Sequence, residues 1–255
     1  MTLNKHMIRA IEANTRYDGR KNDEYRNVDV SYDISWTAGG SAKVTIGNTT
    51  VLAGITLSVE KPYSDTPNQG NLMVEAELKP IANSNYESGP PSIDAIELSR
   101  VIDRGIRESG CIDLKKLCIT PGEKVWFVVC DICTLNADGN LFDAASLAAM
   151  AALSRVTFPT LKDDGSVDYK TKTDTPLPMV SKPIAVTIWK VGKNIVVDPT
   201  YEEEKIFDGR LTVTTVEDGT IVALQKGGDV RLTADDVLQM IELASAKAKV
   251  LRKNL

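Results

Sequence analysis

The chain has 255 residues, 42% hydrophobic and 25% charged, which is enough for one sizeable core or two modest ones and excludes a disordered chain. Acids outnumber bases to give a formal charge of -5. That balance excludes a protein that coats nucleic acid by neutralising phosphates over its whole surface, so any such contact must be local.

The start, Met1 to Ile11, lacks the charged and then continuously apolar regions of a secretory signal. No window approaches the roughly 18 to 20 apolar residues of a membrane-spanning helix, and a cytoplasmic chain is expected. There are four cysteines, Cys111, Cys118, Cys130 and Cys133, and a single histidine, His6, lies far from them in sequence. Cys130 and Cys133 have CxxC spacing, but in the β-branched run Val125 to Leu135 residues three apart point to opposite faces of a strand. Buried thiols are expected, with no metal, no cofactor and no disulfide framework.

In chain order, Leu3 to Arg16 reads as a helix with Leu3, Met7 and Ile11 near one face, closed by the turn Tyr17-Asp18-Gly19-Arg20. Val28 to Val30, Ala42 to Ile46 and Val51 to Val59, with a turn at Gly47-Asn48, read as an antiparallel meander. A Pro, Asn and Gly-rich connection over 62–70 precedes the alternating stretch Leu72 to Leu78 and the polar loop Asn83 to Pro91. A helix then spans Ser92 to Ser109, with Ser92 as N-cap, Asp94 at the positive end of the dipole and Gly110 as the C-terminal left-handed residue. Strands near Leu117 to Ile119 and over Val125 to Leu135 lead through the turn Asn136 to Asn140 into an apolar, alanine-rich helix, Asp143 to Arg155, whose composition implies burial between layers.

Residues 161–182 are dense in Asp, Lys, Thr and Pro with no sustained period, and read as an exposed connection. Strands resume over Ile184 to Val191, Asn194 to Val197, Leu211 to Val216 and Thr220 to Leu224. The last helix, Asp235 to Leu251, places Val237, Ile241, Ala244, Ala248 and Leu251 at helical spacing behind Thr233 as N-cap. The expected organisation is an arm over 1–27, a first unit over 28–160, the connection over 161–182 and a second unit over 183–255. The fold class is α+β, two related units of strands followed by helices that pack on mixed or antiparallel sheets.

Three stretches are candidates for chemistry. On the helix Ser92 to Ser109, Leu98, Ile102 and Ile106 define one face, with Arg100, Arg104 and Arg107 roughly opposite. Guanidinium groups suit RNA because they bind phosphate oxygens in pairs and stack on bases, while a solvated face paired to Glu97, Asp103 and Glu108 fits the same spacing. The turn into the next helix offers backbone N–H groups to an anion. Its side chains Asn140, Leu141, Phe142 and Asp143 oppose one, for an acid at the N-cap competes for those donors and repels phosphate. At the third stretch, Asp198 ends a strand before the acidic run Glu202 to Glu204, a pattern that serves acid/base work, magnesium binding or simple solvation.

The residues together resemble the RNase PH superfamily and, within it, the non-catalytic archaeal exosome branch. The carriers are Asp18-Gly19-Arg20, Gly40 to Val44 with Asn48 to Ala53, the helix Glu97 to Gly110, Leu135 to Gly139 and Asp198-Pro199, which span nearly the whole chain. The resemblance implies an RNase PH-like fold and 3′-to-5′ RNA decay by phosphorolysis in active members. There, a Gly-Gly-Ser/Thr-Arg-like stretch after the Asp-Gly holds the attacking phosphate. This chain has Asn140 to Asp143 at that place, Asp198 matches the downstream aspartate, and Glu204 stands where a second aspartate is usual, so these positions are expected to be vestigial. The implied partners are a catalytic sister subunit in a hexameric ring of three heterodimers, a trimeric RNA-binding cap and single-stranded RNA, with Arg100, Arg104 and Arg107 as RNA contacts. A self-sufficient phosphorolytic exoribonuclease and a free-standing RNA-binding module are the alternatives.

Overall fold

The computed structural model describes residues 2–162 and 166–255. Asp163, Asp164 and Gly165 of the connecting segment, and the side chain of Leu3, lie outside what is described. Helix α1 spans Thr2–Glu12 and stops short of the expected Arg16. The chain leaves it through Asn14 in the left-handed region, at φ 53°. Met7 and Ile11 are buried with Val191, Val196 and Ile206, so α1 is an arm docked on the second unit.

The first sheet has the order β1-β2-β3-β6-β4, from β1 (Val28–Tyr32), β2 (Gly40–Ile46), β3 (Thr49–Glu60), β4 (Asn71–Glu77) and β6 (Lys124–Asn136), with the short β5 (Cys118–Thr120) also on β6. β1, β2 and β3 form the expected antiparallel meander, while β4 runs parallel to β6 after the crossover through helix α2, Ile93–Glu108. Alternation along β2 and β3 puts Ala42, Val44, Ile46, Val51, Ala53 and Ile55 in the core. Helix α3, Leu141–Leu153, lies over them, buried at every position from Asp143 to Leu153. At Gly40 a side chain would stand 2.5 Å from the Ala152 carbonyl, so glycine there is what lets the helix reach the sheet.

The second sheet has the order β10-β9-β11-β12, from β9 (Ile184–Val191), β10 (Asn194–Val197), β11 (Gly209–Thr215) and β12 (Ile221–Gly228). Helix α5, Ala234–Leu251, covers one face through Met240, Ala244, Ala248 and Leu251, and Lys190 on that face pairs with Asp236. Helix α2 covers the other face, where Gly105 sits against Thr214. The fold class is mixed α+β as expected, with helices on both sheets. β12 forms the free margin of the second sheet.

Beside β9 a helix does the work of a strand. β10 pairs only with Ile188 to Val191. Beyond it, the Ala185 N–H donates to Ser146 Oγ at 3.1 Å and the Thr187 N–H to Asp143 Oδ1 at 2.7 Å. Both acceptors are on α3, and they satisfy donors that a buried strand edge cannot leave unpaired.

Two expectations need correction. Residues 161–182 contain β8 (Val167–Pro176), which pairs with β7 (Thr157–Leu161) as a hairpin. Its polar residues are exposed on both faces, so the hydrophobic alternation that marks a half-buried strand is missing. Of the cysteines, Cys111 and Cys130 are buried, whereas Cys118 and Cys133 are partly exposed, and all are free thiols.

Asp143 thus joins α3 to the second sheet. Asp143→Leu strands the Thr187 N–H and the Tyr25 hydroxyl, and is expected to lower unfolding free energy by about 1–3 kcal/mol in urea titrations. Asp143→Asn, which keeps an acceptor, is expected to lose less.

Candidate functional site

β6 ends at Asn136, and the chain turns into α3 through Gly139 and Asn140, both in the left-handed region at φ 80° and 55°. Asparagine is among the few residues with a side chain that tolerate this conformation, whereas Gly139 is required for a second reason. A side chain there would stand 2.4 Å from the Pro199 carbonyl and 2.7 Å from the Tyr201 nitrogen, because the turns before α3 and before α4 (Tyr201–Glu204) meet backbone to backbone.

The expected N-cap, Asp143, is not the cap. Asn140 holds that position and Asp143 lies in the first turn, fully buried, with its carboxylate accepting the Thr187 N–H and the Tyr25 hydroxyl. Burial pushes its pKa up to about 7 against the pull of those hydrogen bonds. The acid that does compete for the helix donors comes from elsewhere in the chain. Glu204 Oε1 accepts the Asn140 N–H at 2.8 Å. Burial pushes the Glu204 carboxyl up to about 7 as well, opposed by the Asn140 N–H and by the charges of Arg210 and Arg26. Leu141 and Phe142 are partly buried against the core. The Arg210 guanidinium lies 4.6 Å over the Phe142 ring and 5.4 Å from the Trp189 ring, and pairs with Glu97 of α2 at 2.6 Å.

Asp198 is fully buried at φ 45°. Its Oδ1 accepts from Arg26 Nη2 at 2.7 Å and Asn140 Nδ2 at 2.9 Å. Its Oδ2 accepts from the Arg26 backbone N–H at 2.7 Å, Arg26 Nε at 2.9 Å and Arg20 Nη1 at 3.0 Å. Burial alone would raise its pKa, but the hydrogen bonds and charge of Arg26 outweigh that and hold it below the usual carboxylate value. A carboxylate kept ionised and saturated with donors has neither a proton to give nor a free lone pair to take one. Arg16, also buried, donates to the Val197 carbonyl at 3.0 Å, the Asp198 carbonyl at 2.8 Å and the Glu203 carboxylate at 2.9 Å. Glu203 in turn accepts the Thr200 N–H and so fixes α4, which carries Glu204.

Asn140, Asp198 and Glu204 are therefore brought together, while the arginines that hold them, Arg16, Arg20 and Arg26, received no role from sequence. Arg20 stood in the Asp18-Gly19-Arg20 turn that carries the resemblance, but for Arg16 and Arg26 the signal was only their density in a short segment. Pairing across 172 to 187 residues has no local signature.

The arginine face of α2 lies apart from this cluster. Arg100 and Arg104 are exposed on a groove of about 750 Å³ between α2 and the strands β11 and β12, lined also by Ile93, Ile96, Thr212 and Leu224. Of the acids offered as partners, Glu97 turns to Arg210 and Asp103 to Arg107. Among the described residues, neither the Arg100 nor the Arg104 guanidinium has an ion-pair or hydrogen-bond partner. Arg107 differs, since it is held by Asp103 at 2.7 Å and donates to the Leu72 carbonyl at 2.9 Å.

Residues 24–159 match the 3′ exoribonuclease family, domain 1, and residues 182–247 match domain 2 of the same family. The exosome complex component Rrp42 of Methanocella arvoryzae is 46% identical over 240 residues, covering 94% of this chain and 90% of that protein. The component of the same name from Methanopyrus kandleri is 45% identical, covering 98% and 94%. Among solved structures, a chain of the Archaeoglobus fulgidus exosome with RNA bound to the active site superposes with a TM-score of 0.92 at 41% identity, covering 98% of this chain and 96% of that one. A chain of an archaeal exosome core superposes with a TM-score of 0.87 at 38% identity, covering 98% and 94%. With both domains matched in order and such relatives along nearly its full length, the chain belongs to the 3′ exoribonuclease family.

Proposed function

We propose that this chain is a non-catalytic subunit of an archaeal exosome ring that degrades RNA from its 3′ end. The observation that carries the reading is the state of its own would-be catalytic cluster. Asp198 is consumed by Arg20, Arg26 and Asn140, and the backbone donor at the start of α3 is taken by Glu204. Phosphorolysis needs a bound phosphate and a free carboxylate at the place of Asp198, and both places are filled from within. Asn140, Leu141, Phe142, Asp143, Asp198 and Glu204 are thus vestigial as chemistry. The self-sufficient exoribonuclease is disfavoured on the same ground.

In this reading the partner is a catalytic RNase PH-like sister, alternating with this chain in a hexameric ring of three heterodimers that carries a trimeric RNA-binding cap and acts in the cytoplasm. The chain shapes the sister's active site and lends cations to single-stranded RNA. Arg100 and Arg104, exposed and without partners among the described residues, suit that role, with Arg107 a lesser contributor because Asp103 and Leu72 already hold it. The structure with RNA bound to which this chain is similar supports the RNA contact. A net charge of -5 speaks against a free-standing RNA-binding module, whereas a few arginines focused on a channel grip RNA while the exterior stays acidic.

The deciding experiment is phosphate-dependent RNA decay by the chain alone and after mixing with its catalytic sister, with the mass measured in both cases. Decay and a hexamer mass only in the mixture are expected; decay by the lone chain would overturn the reading. In the assembled ring, Arg100→Ala with Arg104→Ala is expected to weaken RNA binding without changing the mass. The double substitution should flatten the dependence of log affinity on log salt by roughly 0.7 for each phosphate that is no longer neutralised. Unchanged affinity and slope would remove these residues from the RNA path.

A pH prediction follows from Glu204. Its carboxyl has an ordinary value of 4.5 and is raised in the fold to about 7, so the folded chain holds the proton more tightly than the unfolded chain does. The stability this provides is fully present below 4.5 and is lost as pH rises through about 7. Glu204→Gln removes that titration, so the gap between variant and parent urea midpoints should shift in the variant's favour from pH 5 to pH 8. A gap independent of pH would contradict it.

A further inference from the structure

We propose that the outer face of the first sheet, the side turned away from α2 and α3, is the chain's second ring contact and receives a lysine or arginine side chain of a neighbouring catalytic sister. This inference rests on the ring reading and adds the surface that closes the ring. In an alternating ring every subunit has two neighbours, so it carries two different contact surfaces. The α2 side, with Arg100 and Arg104, is one of them.

The two sheets are covered unequally. On the second sheet α5 and α2 lie on opposite faces. On the first, α2 and α3 both pack on the inner face, and among the described residues no helix covers the outer one. A solvated sheet face turns polar residues outward. Along β6, however, the outward positions are Phe127, Val129, Asp131, Cys133 and Leu135, with Leu135 38% exposed and the other apolar ones half-buried. Met73 on β4, 37% exposed, lies beside Val129, and Leu52 on β3 lies beside Cys133. The result is an apolar strip across three strands with no partner in this chain.

An acid stands in the middle of the strip. Asp131 has Glu75 beside it on β4 and Gly54 beside it on β3. Among the described residues, neither the Asp131 nor the Glu75 carboxylate has a cation or a hydrogen-bond donor, whereas Glu77 is paired with Lys79. Burial and the charges of Glu75 and Glu77 push the Asp131 carboxyl above its ordinary value. At Gly54 a Cβ would meet only the Ala38 Cβ, at 4.0 Å, so the place next to Asp131 is an open notch. A cation entering that notch relieves two like charges set side by side, and its aliphatic stem covers Val129 and Leu52. No group of three acid, histidine or cysteine side chains among the described residues is placed to hold a metal ion, which favours a side-chain cation. A second copy of this chain set face to face would oppose acids to acids, which favours the sister. Ala38 also brings the β1–β2 loop to the border of the face, and Trp36 in that loop is 96% exposed, as suits an anchor at the margin of a contact.

The test uses the full chain and its sister. In the wild type, alkylation of Cys133 by iodoacetamide, read site by site by mass spectrometry, is expected to be on the order of tenfold slower in the hexamer than in the dilute lone chain, because that thiol lies on this face. An unchanged rate would overturn the proposal without any variant. Asp131→Lys with Glu75→Lys is expected to leave a complex of one chain and one sister, and to raise the concentration at which the hexamer forms by on the order of a hundredfold. A folded double variant that forms the hexamer at the wild-type concentration would overturn it. So would one that no longer joins the sister at all, since the face would then not be separate from the α2 side. Protection of Cys133 by self-association of the lone chain would make a second copy the occupant and overturn it too. Failure of the wild-type chain to assemble with the sister would instead overturn the ring reading.

Discussion

Everything around the cluster at Asp198 depends on how one buried negative charge is kept. Asp198 has no access to water, and an ionised carboxylate in that position is tolerable only if cations and donors replace its hydration. Arg20 and Arg26 supply the cations and Asn140 the amide. Because the arginines come from the segment after α1 and the amide from the turn before α3, one carboxylate ties arm, first unit and second unit together. The saturation that keeps it ionised is also what makes it a fastening.

The cluster and the arginine face of α2 are joined by Arg210. Its guanidinium stacks on Phe142 at the start of α3 and pairs with Glu97 on α2. In drawing Glu97 away, it leaves the α2 groove with Arg100 and Arg104 uncompensated. A local positive face on an acidic chain is thus a matter of which acids are spoken for, more than of how many bases there are.

Much of the fold was legible because its signals are local. Both ends of α2 were marked, and the structure shows the Ser92 hydroxyl accepting the Ala95 N–H and Gly110 in the left-handed region. Thr233 likewise caps α5. The meander was readable from alternation, and the burial of α3 from its alanines. The hairpin of β7 and β8 was not, since strands exposed on both faces carry no apolar period. At the centre, composition put Asp143 at the cap of α3, whereas Asn140 is the cap and the carboxylate that meets its N–H is Glu204. Which carboxylate arrives there depends on α4, 64 residues further on, and on Arg16 behind it. Helix wheels could place Arg100, Arg104 and Arg107 on one face, but only the tertiary structure separates the held Arg107 from the other two.

The covering of β9 by α3 makes the second sheet unequal at its two sides. Toward β9, short β10 and the side chains of Asp143 and Ser146 between them take up backbone groups of β9 along its length. Toward β12 the ladder simply stops, and partly or fully exposed Ile221 and Leu224 sit along an unpaired backbone. For a chain kept without neighbours, this makes colloidal behaviour directional: self-adhesion at high concentration would start from that border. Lys226 and the Gly227-Gly228 pair stand on the same border and blunt it.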